Sequence, residues 1–445
     1  FIRASQALAT AELQLENINL TSISPELLLE FNQIQGYQQQ LSAINAVLLA
    51  SPDILSQIMG IDEEVTYLIL AQNNDEIRPS GGYISTYGWL TIRNGRVTGY
   101  DYSPTTATSP RPPDDSFLDT FEIPEWWIHY QNPIYAAWDG SWYADFPSTA
   151  QMAMRYYNEG GNPNYPVGGV IAIDITGFEL ILSTLGDIYI PDYNRTINEQ
   201  IFRDVVYDIR TYGESEHKRF LTTVYRSIFE NWQNIEQDRS SDLLTALLEA
   251  LTQRHIMIYL PDESTQNVIN LLGWSGAQIS PETNDYILVA DANLGNKSNN
   301  SVNRSLTYDV EILPDQSCVS NLRVRYDYFD SIAKDDPAID PEFHGPRDYR
   351  TSTQIYLPHN INILQEDNPE QTETIQLEDY ILVVTPINVD YDTSERFQIS
   401  YKIPSQESRV GDFYNYRLLI QKQPGSRVED VNIQITLPEG AEVIS

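Results

Sequence analysis

The stretch that decides the fold runs from Gly168 to Ile190 and reads GGVIAIDITGFELILSTLGDIYI. Its first part is a run of small and β-branched apolar residues that ends at Asp174, which is typical of a short buried strand. Apolar residues then recur at helical spacing from Phe178 onward, and Gly186 stands where a helix would end. We therefore predict a strand, a turn that opens a short helix, and a second strand.

A second landmark lies upstream, where Gln72 to Gly82 read QNNDEIRPSGG. Adjacent glycines allow backbone N–H groups to approach a ligand closely, and Arg78 adds a planar cation, so Arg78, Gly81 and Gly82 are candidate phosphate-binding residues. The alternative is structural: Asn and Glu side chains fasten a tight connection between two strands, and the glycines supply a positive φ. The residues alone leave both interpretations open.

The decisive stretch resembles the strand–helix–strand core of the LytR-CpsA-Psr proteins, and the likeness covers about residues 65–235. Those bacterial envelope enzymes transfer glycopolymers from polyprenyl-pyrophosphate carriers, and they hold a magnesium-pyrophosphate with aspartates and arginines. The resemblance implies that Arg78, Arg210 and Arg219 contact phosphate, with Mg²⁺ as the cofactor if the chain is a phosphotransferase of this type. Two departures are visible: Gly81-Gly82 occupy the place of an expected aspartate, and Phe220 replaces a glutamine.

A closer resemblance is to the bacterial family known as domain of unknown function 4012. The motif from Gln72 to Gly82 is similar to the hallmark of that family, and the likeness is expected over nearly the whole chain from about residue 60. It continues through four further motifs: Trp142-x-x-Asp145-Phe146-Pro147, Gly169-Val170-Ile171-Ala172-Ile173-Asp174, Asn293-Leu294-Gly295-Asn296-Lys297-Ser298-Asn299 and Gln421-Lys422-Gln423-Pro424-Gly425. This resemblance implies a membrane-anchored, outward-facing protein.

The periodicity of the chain divides it into three parts and predicts an α+β multidomain protein. Residues 1–58 are helical, either as helices that pack on the next domain or as a stalk above a membrane anchor. Residues 59–293 alternate strands and helices, which predicts a three-layer α/β domain with a Trp/Pro-rich insertion at 103–147, and the resemblance implies that this domain is LytR-CpsA-Psr-like. Residues 294–445 show a period of two in about seven short strands, which predicts an immunoglobulin-like antiparallel β-sandwich.

The composition restricts both partners and location. The chain has 27 Lys+Arg against 63 Asp+Glu, a net charge of −36, which repels nucleic acid and anionic lipid. We see no run of about 18 apolar residues, so we expect no membrane span within the sequence and place any anchor outside it. The single cysteine, Cys318, excludes an internal disulfide.

Two further groups of residues are candidate contacts. Trp126, Trp127, Trp138 and Trp142 concentrate aromatic surface in the insertion, where rings either stack on sugars, seat a partner, or form a small core under the loop. Asp335, Asp336 and Asp340 supply oxygen ligands for calcium, but their spacing does not match the alternating-Asp loop, which favours a solvated acidic loop.

These observations favour a non-catalytic protein of the cell envelope or cell surface, with a structural or interaction role. A phosphotransferase that lacks a metal-holding aspartate loses much of the charge stabilisation on which its catalysis depends. We expect other envelope proteins or further copies of the chain as partners, and no cofactor. The alternatives are a polyprenyl-pyrophosphate-dependent glycopolymer transferase using Mg²⁺, and a carbohydrate-binding surface protein.

Overall fold

The computed structural model describes residues 1–19, 24–120, 142–209, 213–281, 285–405, 409–410, 413–414, 416–427 and 429–443. N-terminal helices precede a mixed sheet with helices, and a C-terminal region of mostly antiparallel sheets follows. The prediction of an α+β multidomain fold is therefore confirmed.

The α-helices of the described part are α1 (Ile2–Glu16), α2 (Pro25–Ile58), α3 (Phe146–Glu159), α4 (Ile175–Leu185), α5 (Phe202–Asp208), α6 (Glu214–Gln233), α7 (Ser240–Thr252), α8 (Glu263–Leu271) and α9 (Asp330–Ala333). The strands of the first half are β1 (Val65–Arg78), β2 (Gly81–Arg93), β3 (Arg96–Pro104), β4 (Gly169–Asp174), β5 (Ile188–Ile190), β6 (Arg195–Ile197) and β7 (Ile256–Tyr259). Those of the second half are β8 (Asp285–Asn293), β9 (Asn303–Ile312), β10 (Cys318–Tyr328), β11 (Tyr349–Pro358), β12 (Asn362–Glu366), β13 (Glu373–Gln376), β14 (Tyr380–Val389), β15 (Thr393–Ile403), β16 (Arg409–Val410), β17 (Phe413–Tyr414), β18 (Leu418–Gln421) and β19 (Asp430–Thr436).

The α/β domain is built on a sheet of order β3-β2-β1-β4-β7, in which β1 and β4 are parallel and the other pairs are antiparallel. Alternate residues of β1 face opposite cores. Tyr67 and Ile69 pack with apolar residues of α4 to α8, whereas Leu68 and Leu70 pack with those of α3. The sheet thus lies between two helical layers, as the alternating pattern predicts.

The decisive stretch folds as predicted. β4 is followed directly by α4, and the Asp174 side chain caps that helix by accepting a hydrogen bond from the Gly177 N–H at 2.8 Å. Gly186 ends the helix with φ of +75°, a conformation that glycine adopts without a Cβ clash. β5 then begins at Ile188.

The C-terminal domain is a sandwich of two five-stranded sheets, ordered β12-β15-β10-β9-β19 and β13-β14-β11-β8-β18. The boundary predicted at 293/294 lies too late, because β8 pairs with β11 and is an interior strand of the second sheet. The prediction placed residues 285–293 in the α/β domain without assigning a strand to them. The sheets are mostly antiparallel, as predicted, but β18 runs parallel to β8 and β19 runs parallel to β9.

The N-terminal helices form an antiparallel hairpin. Gln38 of α2 donates to the Leu8 carbonyl at 3.2 Å, and Asn45 donates to the Ser5 hydroxyl at 2.6 Å. Near the end of α2, Ile54 is buried and Thr265 of α8 donates to the Gln57 side chain at 2.9 Å. The region is therefore a hairpin that rests on the α/β domain by one end of α2.

Residues Glu30–Ile58 of α2 are long and apolar enough to cross a membrane, judged by length and composition alone. This corrects the expectation that the sequence contains no such segment. Core helices and signal sequences also meet this criterion, so the finding is only weak evidence for a membrane or secreted location.

Candidate functional site

The hallmark motif lies at the junction between the α/β domain and the sandwich. Gln72 to Arg78 do not form the predicted polar turn but extend β1 to its end, and Gly81-Gly82 begin β2. We call the place where this motif meets residues 293–299 and 421–425 the domain junction. The role of the motif at the domain junction depends on its contacts with these two segments.

Arg78 is buried at this junction. Its guanidinium donates to the carbonyl oxygens of Ile77, at 3.3 Å, and of Asn293 in β8, and it pairs with the Glu76 carboxylate at 3.2 Å. Lys297 lies on the other side of Glu76 at 3.2 Å. Burial opposes ionisation of Glu76, but Lys297 and Arg78 together hold its pKa below the ordinary value. Arg78 thus connects the two domains.

The glycines of the motif allow backbone segments to approach each other. A Cβ on Gly82 would lie 2.4 Å from the Asn73 carbonyl oxygen, and one on Gly425 would lie 2.5 Å from the Gly81 carbonyl oxygen. Gly81 and Gly425 also have positive φ, of +131° and +72°. The close approach that the sequence suggested for a ligand is made here by another part of the chain.

Gln423 joins two strands, β1 and β8, through one buried amide. Its Nε2 donates to the Arg78 carbonyl at 3.0 Å and to the Asp291 carbonyl at 2.8 Å, and its Oε1 accepts from the Asp291 N–H at 2.9 Å. Asn74 donates to the Gly425 carbonyl at 3.1 Å. The motifs at 72–82, 293–299 and 421–425 are therefore brought together, and their polar groups hydrogen-bond one another.

The three predicted phosphate-binding arginines have different positions. Arg210 lies outside the described residues. Arg219 projects from α6 with 72% of its side chain exposed, pairs with Glu216 at 2.7 Å, and borders a groove with Tyr193. Arg78 lies buried at the domain junction, so the structure does not bring Arg78 and Arg219 together.

A cleft of about 370 Å³ opens beside the domain junction, where the ends of β1 and β4 face the sandwich. Two arginines inside it are each held by two carboxylates. Arg203 of α5 bridges Asp75 and Asp336, each at 2.7 Å. The second arginine, Arg304 of β9, is also buried, and it pairs with two carboxylates of the sandwich, Asp291 at 2.8 Å and Glu429.

The electrostatics of the cleft disfavour an anion. Its acidic residues outnumber its basic ones, which are Arg203, Arg304 and Arg427; the acidic ones are Asp75, Glu179, Asp291, Asp327, Glu429 and Asp430. Burial raises the pKa of the Glu179 carboxyl to about 7, and Asp75 adds to this shift, whereas Arg203 and Arg427 oppose it. A pyrophosphate would have to compete with carboxylates already paired to the two buried arginines.

Two of the three calcium candidates in the sandwich loop, Asp336 and Asp340, accept hydrogen bonds from other residues of the chain. Asp336 accepts hydrogen bonds from Arg203, from the Ser301 hydroxyl at 2.6 Å and from the Ala338 N–H at 2.9 Å. Asp340 accepts from the Glu342 N–H at 2.9 Å. Among the residues that the structure describes, no group of three or more His, Cys, Asp or Glu side chains is placed to hold a metal ion. Asp335, the third calcium candidate, therefore belongs to no such group.

Of the aromatic set in the insertion, Trp142 is buried with about 1% of its surface exposed, and its carbonyl accepts a hydrogen bond from Gln354 of β11 at 2.7 Å. A ring in this position belongs to the core between the domains. Trp126, Trp127 and Trp138 lie outside the described residues, so their predicted contacts with sugars or partners stay predictions.

Sequence reasoning assigned no role to several residues of this region. Arg203 lies inside a predicted helix and carries no signal of its ion pairs with Asp75 and Asp336. Asp174 holds the buried His255, with 2.7 Å between Oδ2 and Nδ1. The position of Asp174 at the end of a strand was a usable signal, because polar residues at parallel strand ends meet at one edge of the sheet.

A comparison with protein-family models supports the resemblance to domain of unknown function 4012, but over fewer residues than the sequence predicted. The model of the family described as "Protein of unknown function (DUF4012)" matches residues 62–208. No curated protein matches the chain. The motifs at 293–299 and 421–425 lie outside the family match, so their predicted likeness to this family stays a prediction. The LytR-CpsA-Psr likeness also stays a prediction. Residues 62–208, which include the hallmark motif and the decisive stretch, are thus similar to a family of unknown function.

Proposed function

We propose that this chain is a non-catalytic, outward-facing protein of the cell envelope with a structural or interaction role. The observation that carries the proposal is the use of the hallmark motif: Arg78, Gly81 and Gly82 bind the chain to itself at the domain junction. A group already committed to buried partners is not available to stabilise the charge of a transferring phosphoryl group.

An exposed sheet edge supports an interaction role. In β19, Val431, Ile433 and Ile435 are exposed, although they stand in register with Leu306, Tyr308 and Val310, which are buried in the sandwich core. An edge strand with apolar side chains and free backbone groups can add a strand from another polypeptide. The family resemblance supports a location in the envelope, and the net charge of −36 suits a surface in contact with salt and divalent cations.

The catalytic alternative is tested with a soluble polyprenyl-pyrophosphate analogue and Mg²⁺, titrated calorimetrically into the native chain and into Arg219→Ala. Because Arg219 is exposed and pairs only with Glu216 among the described residues, this variant should fold normally. The proposal predicts no saturable heat with either protein. Micromolar binding to the native chain that Arg219→Ala loses would overturn it in favour of a glycopolymer transferase.

Location is tested separately by labelling intact bacteria that make the full-length protein with an antibody raised against this chain. The proposal predicts labelling without permeabilisation. Labelling that appears only after the cells are opened would contradict an outward-facing role, whatever the outcome of the pyrophosphate titration.

A further inference from the structure

One side of α2, next to the side that contacts α1, carries a row of exposed apolar side chains. Five of them recur at intervals of seven, and two more lie between them at intervals of three and four, so that all fall on one stripe of the helix. They are 40–62% exposed, and we call this row the seam: Leu27, Ile34, Tyr37, Leu41, Ile44, Leu48 and Leu55.

The seam is distinct from the surface that α2 uses inside the chain. α2 meets α1 through Phe31, Gln38 and Asn45, which are buried, and two of these donate hydrogen bonds to α1. With 3.6 residues per turn, this buried row lies roughly 90° around the helix from the seam. α2 therefore has one apolar stripe that is covered and a second that is not.

The middle of the seam is uncharged, which is unusual in a chain with 63 acidic residues, although Glu30 lies near its N-terminal end. Residues 31–52 contain no Asp, Glu, Lys or Arg. The positions that flank the middle of the seam are Gln33, Gln40 and Val47, so two copies of α2 can approach each other without opposing like charges.

We infer that the seam is a self-association surface, on which α2 of a second copy of this chain packs. A heptad row of Leu and Ile is its own complement, because each side chain inserts between four residues of an identical row. Seven side chains that are about half exposed amount to roughly 700 Å² per chain, close to the ~800 Å² per partner of a stable interface. Two hairpins joined in this way form a four-helix bundle.

A lipid surface fits the seam less well. Helices that lie on membranes carry Lys and Arg on their polar face, whereas the hairpin contains Arg3 as its one basic residue. The end of α2 is also committed to the α/β domain through Ile54 and Gln57, which a membrane-spanning position would have to release. The inference stands independently of the proposed function.

Sedimentation velocity of the full chain at micromolar concentration tests the inference, in enough salt to screen the net charge. Leu41→Glu with Leu48→Glu places two charges on the seam. Gln39→Glu with Ala46→Glu is the matched control, since these two residues are also seven apart and exposed but lie on the far side of α2. Circular dichroism of both variants establishes that the hairpin is still helical.

We expect the native chain and the control to sediment with the mass of two chains. The seam variant should be monomeric, with a dissociation constant raised by more than about 100-fold, because dimerisation would bury unpaired carboxylates. A monomeric native chain, or equal weakening in both variants, would overturn the inference. So would a native monomer that floats with phosphatidylcholine vesicles while the seam variant does not, since the seam would then bind lipid.

Discussion

At the domain junction, buried polar groups find partners inside the chain, whereas along the seam of α2 apolar side chains face solvent. The junction carries the residues that resemble a ligand site, yet Arg78 and Gln423 are hydrogen-bonded across the domains. The seam carries no chemistry-bearing residue, yet Leu41 and Ile44 are exposed where burial would be favourable. The difference teaches that a polar motif can be fully used inside the chain, whereas exposed apolar side chains mark a surface whose burial would be favourable.

We expect the largest loss of stability when the buried Arg304, which pairs with Asp291 and Glu429, is replaced by an uncharged residue. Arg304→Met leaves Asp291 buried without its partner, and we expect the free energy of unfolding to fall by about 3–5 kcal/mol. Arg323→Met is the control, since Arg323 forms a half-exposed pair with Asp309 on the same domain and should cost at most ~1 kcal/mol. Urea unfolding measures the loss of stability in both variants. Equal losses would contradict the difference expected between a buried ion pair of the cleft and an ion pair on the surface.

Glycine substitutions sharpen the same comparison. Gly82→Ala forces a Cβ to within 2.4 Å of a backbone oxygen and should lower the free energy of unfolding by about 1–3 kcal/mol. Gly36→Ala in α2 meets no atom within 4 Å and should raise the helical stability of the hairpin by about 0.5–1 kcal/mol. Thermal unfolding followed by circular dichroism measures both changes. A Gly82→Ala variant as stable as the native chain would contradict a close approach of the Asn73 carbonyl oxygen to this glycine.

Glu179 gives the cleft a pH dependence. Its pKa of about 7 in the folded chain exceeds the ordinary value of 4.5, so the folded state binds the proton more tightly and this carboxyl destabilises the fold as pH rises through that window. Glu179→Gln should therefore stabilise the chain by roughly 1–2 kcal/mol at pH 8, after allowance for solvent screening.

The gain from Glu179→Gln should shrink as pH falls through the same window and vanish below about pH 4.5, where the carboxyl is protonated in both states. Urea unfolding at several pH values measures this trend. A gain that is independent of pH would show that the pKa of Glu179 is not raised in the folded chain.

The smallest effect is expected at the exposed arginine. Arg219→Ala removes a surface pair with Glu216 and should change the free energy of unfolding by less than about 0.5 kcal/mol. Urea unfolding beside the native chain measures the difference. A loss as large as that of Arg304→Met would place Arg219 in a buried network and contradict its position on α6.

Much of the fold could be predicted from the sequence, because local signals agree with the tertiary structure. Asp145 and Asp174 cap helices where the sequence indicates that helices begin, and Gly186 ends one. β8 could not be assigned, since a strand buried on both faces has the same apolar run in either domain. The pairing of β19 with β9 also escaped prediction, because parallel partners far apart in sequence leave no local signal.

The candidate site could be predicted only in part. The sequence identifies the motif from Gln72 to Gly82, and it offers a structural interpretation beside the phosphate-binding one. It does not reveal that Asn293 and Gln423 supply the partners, because the contacts cross more than 200 residues of chain. The role of a polar motif depends on which distant segment covers it, and that depends on the whole fold.

The most direct test of the account is differential scanning calorimetry of the native chain beside Gln423→Met, with Gln376→Met as the control on an exposed amide. If the motif couples the domains, the native chain unfolds in one transition. Gln423→Met should then split that transition or lower its midpoint by several degrees, and Gln376→Met should leave it unchanged. Two independent transitions in the native chain, neither moved by Gln423→Met, would contradict the claim that the hallmark motif holds the two domains together.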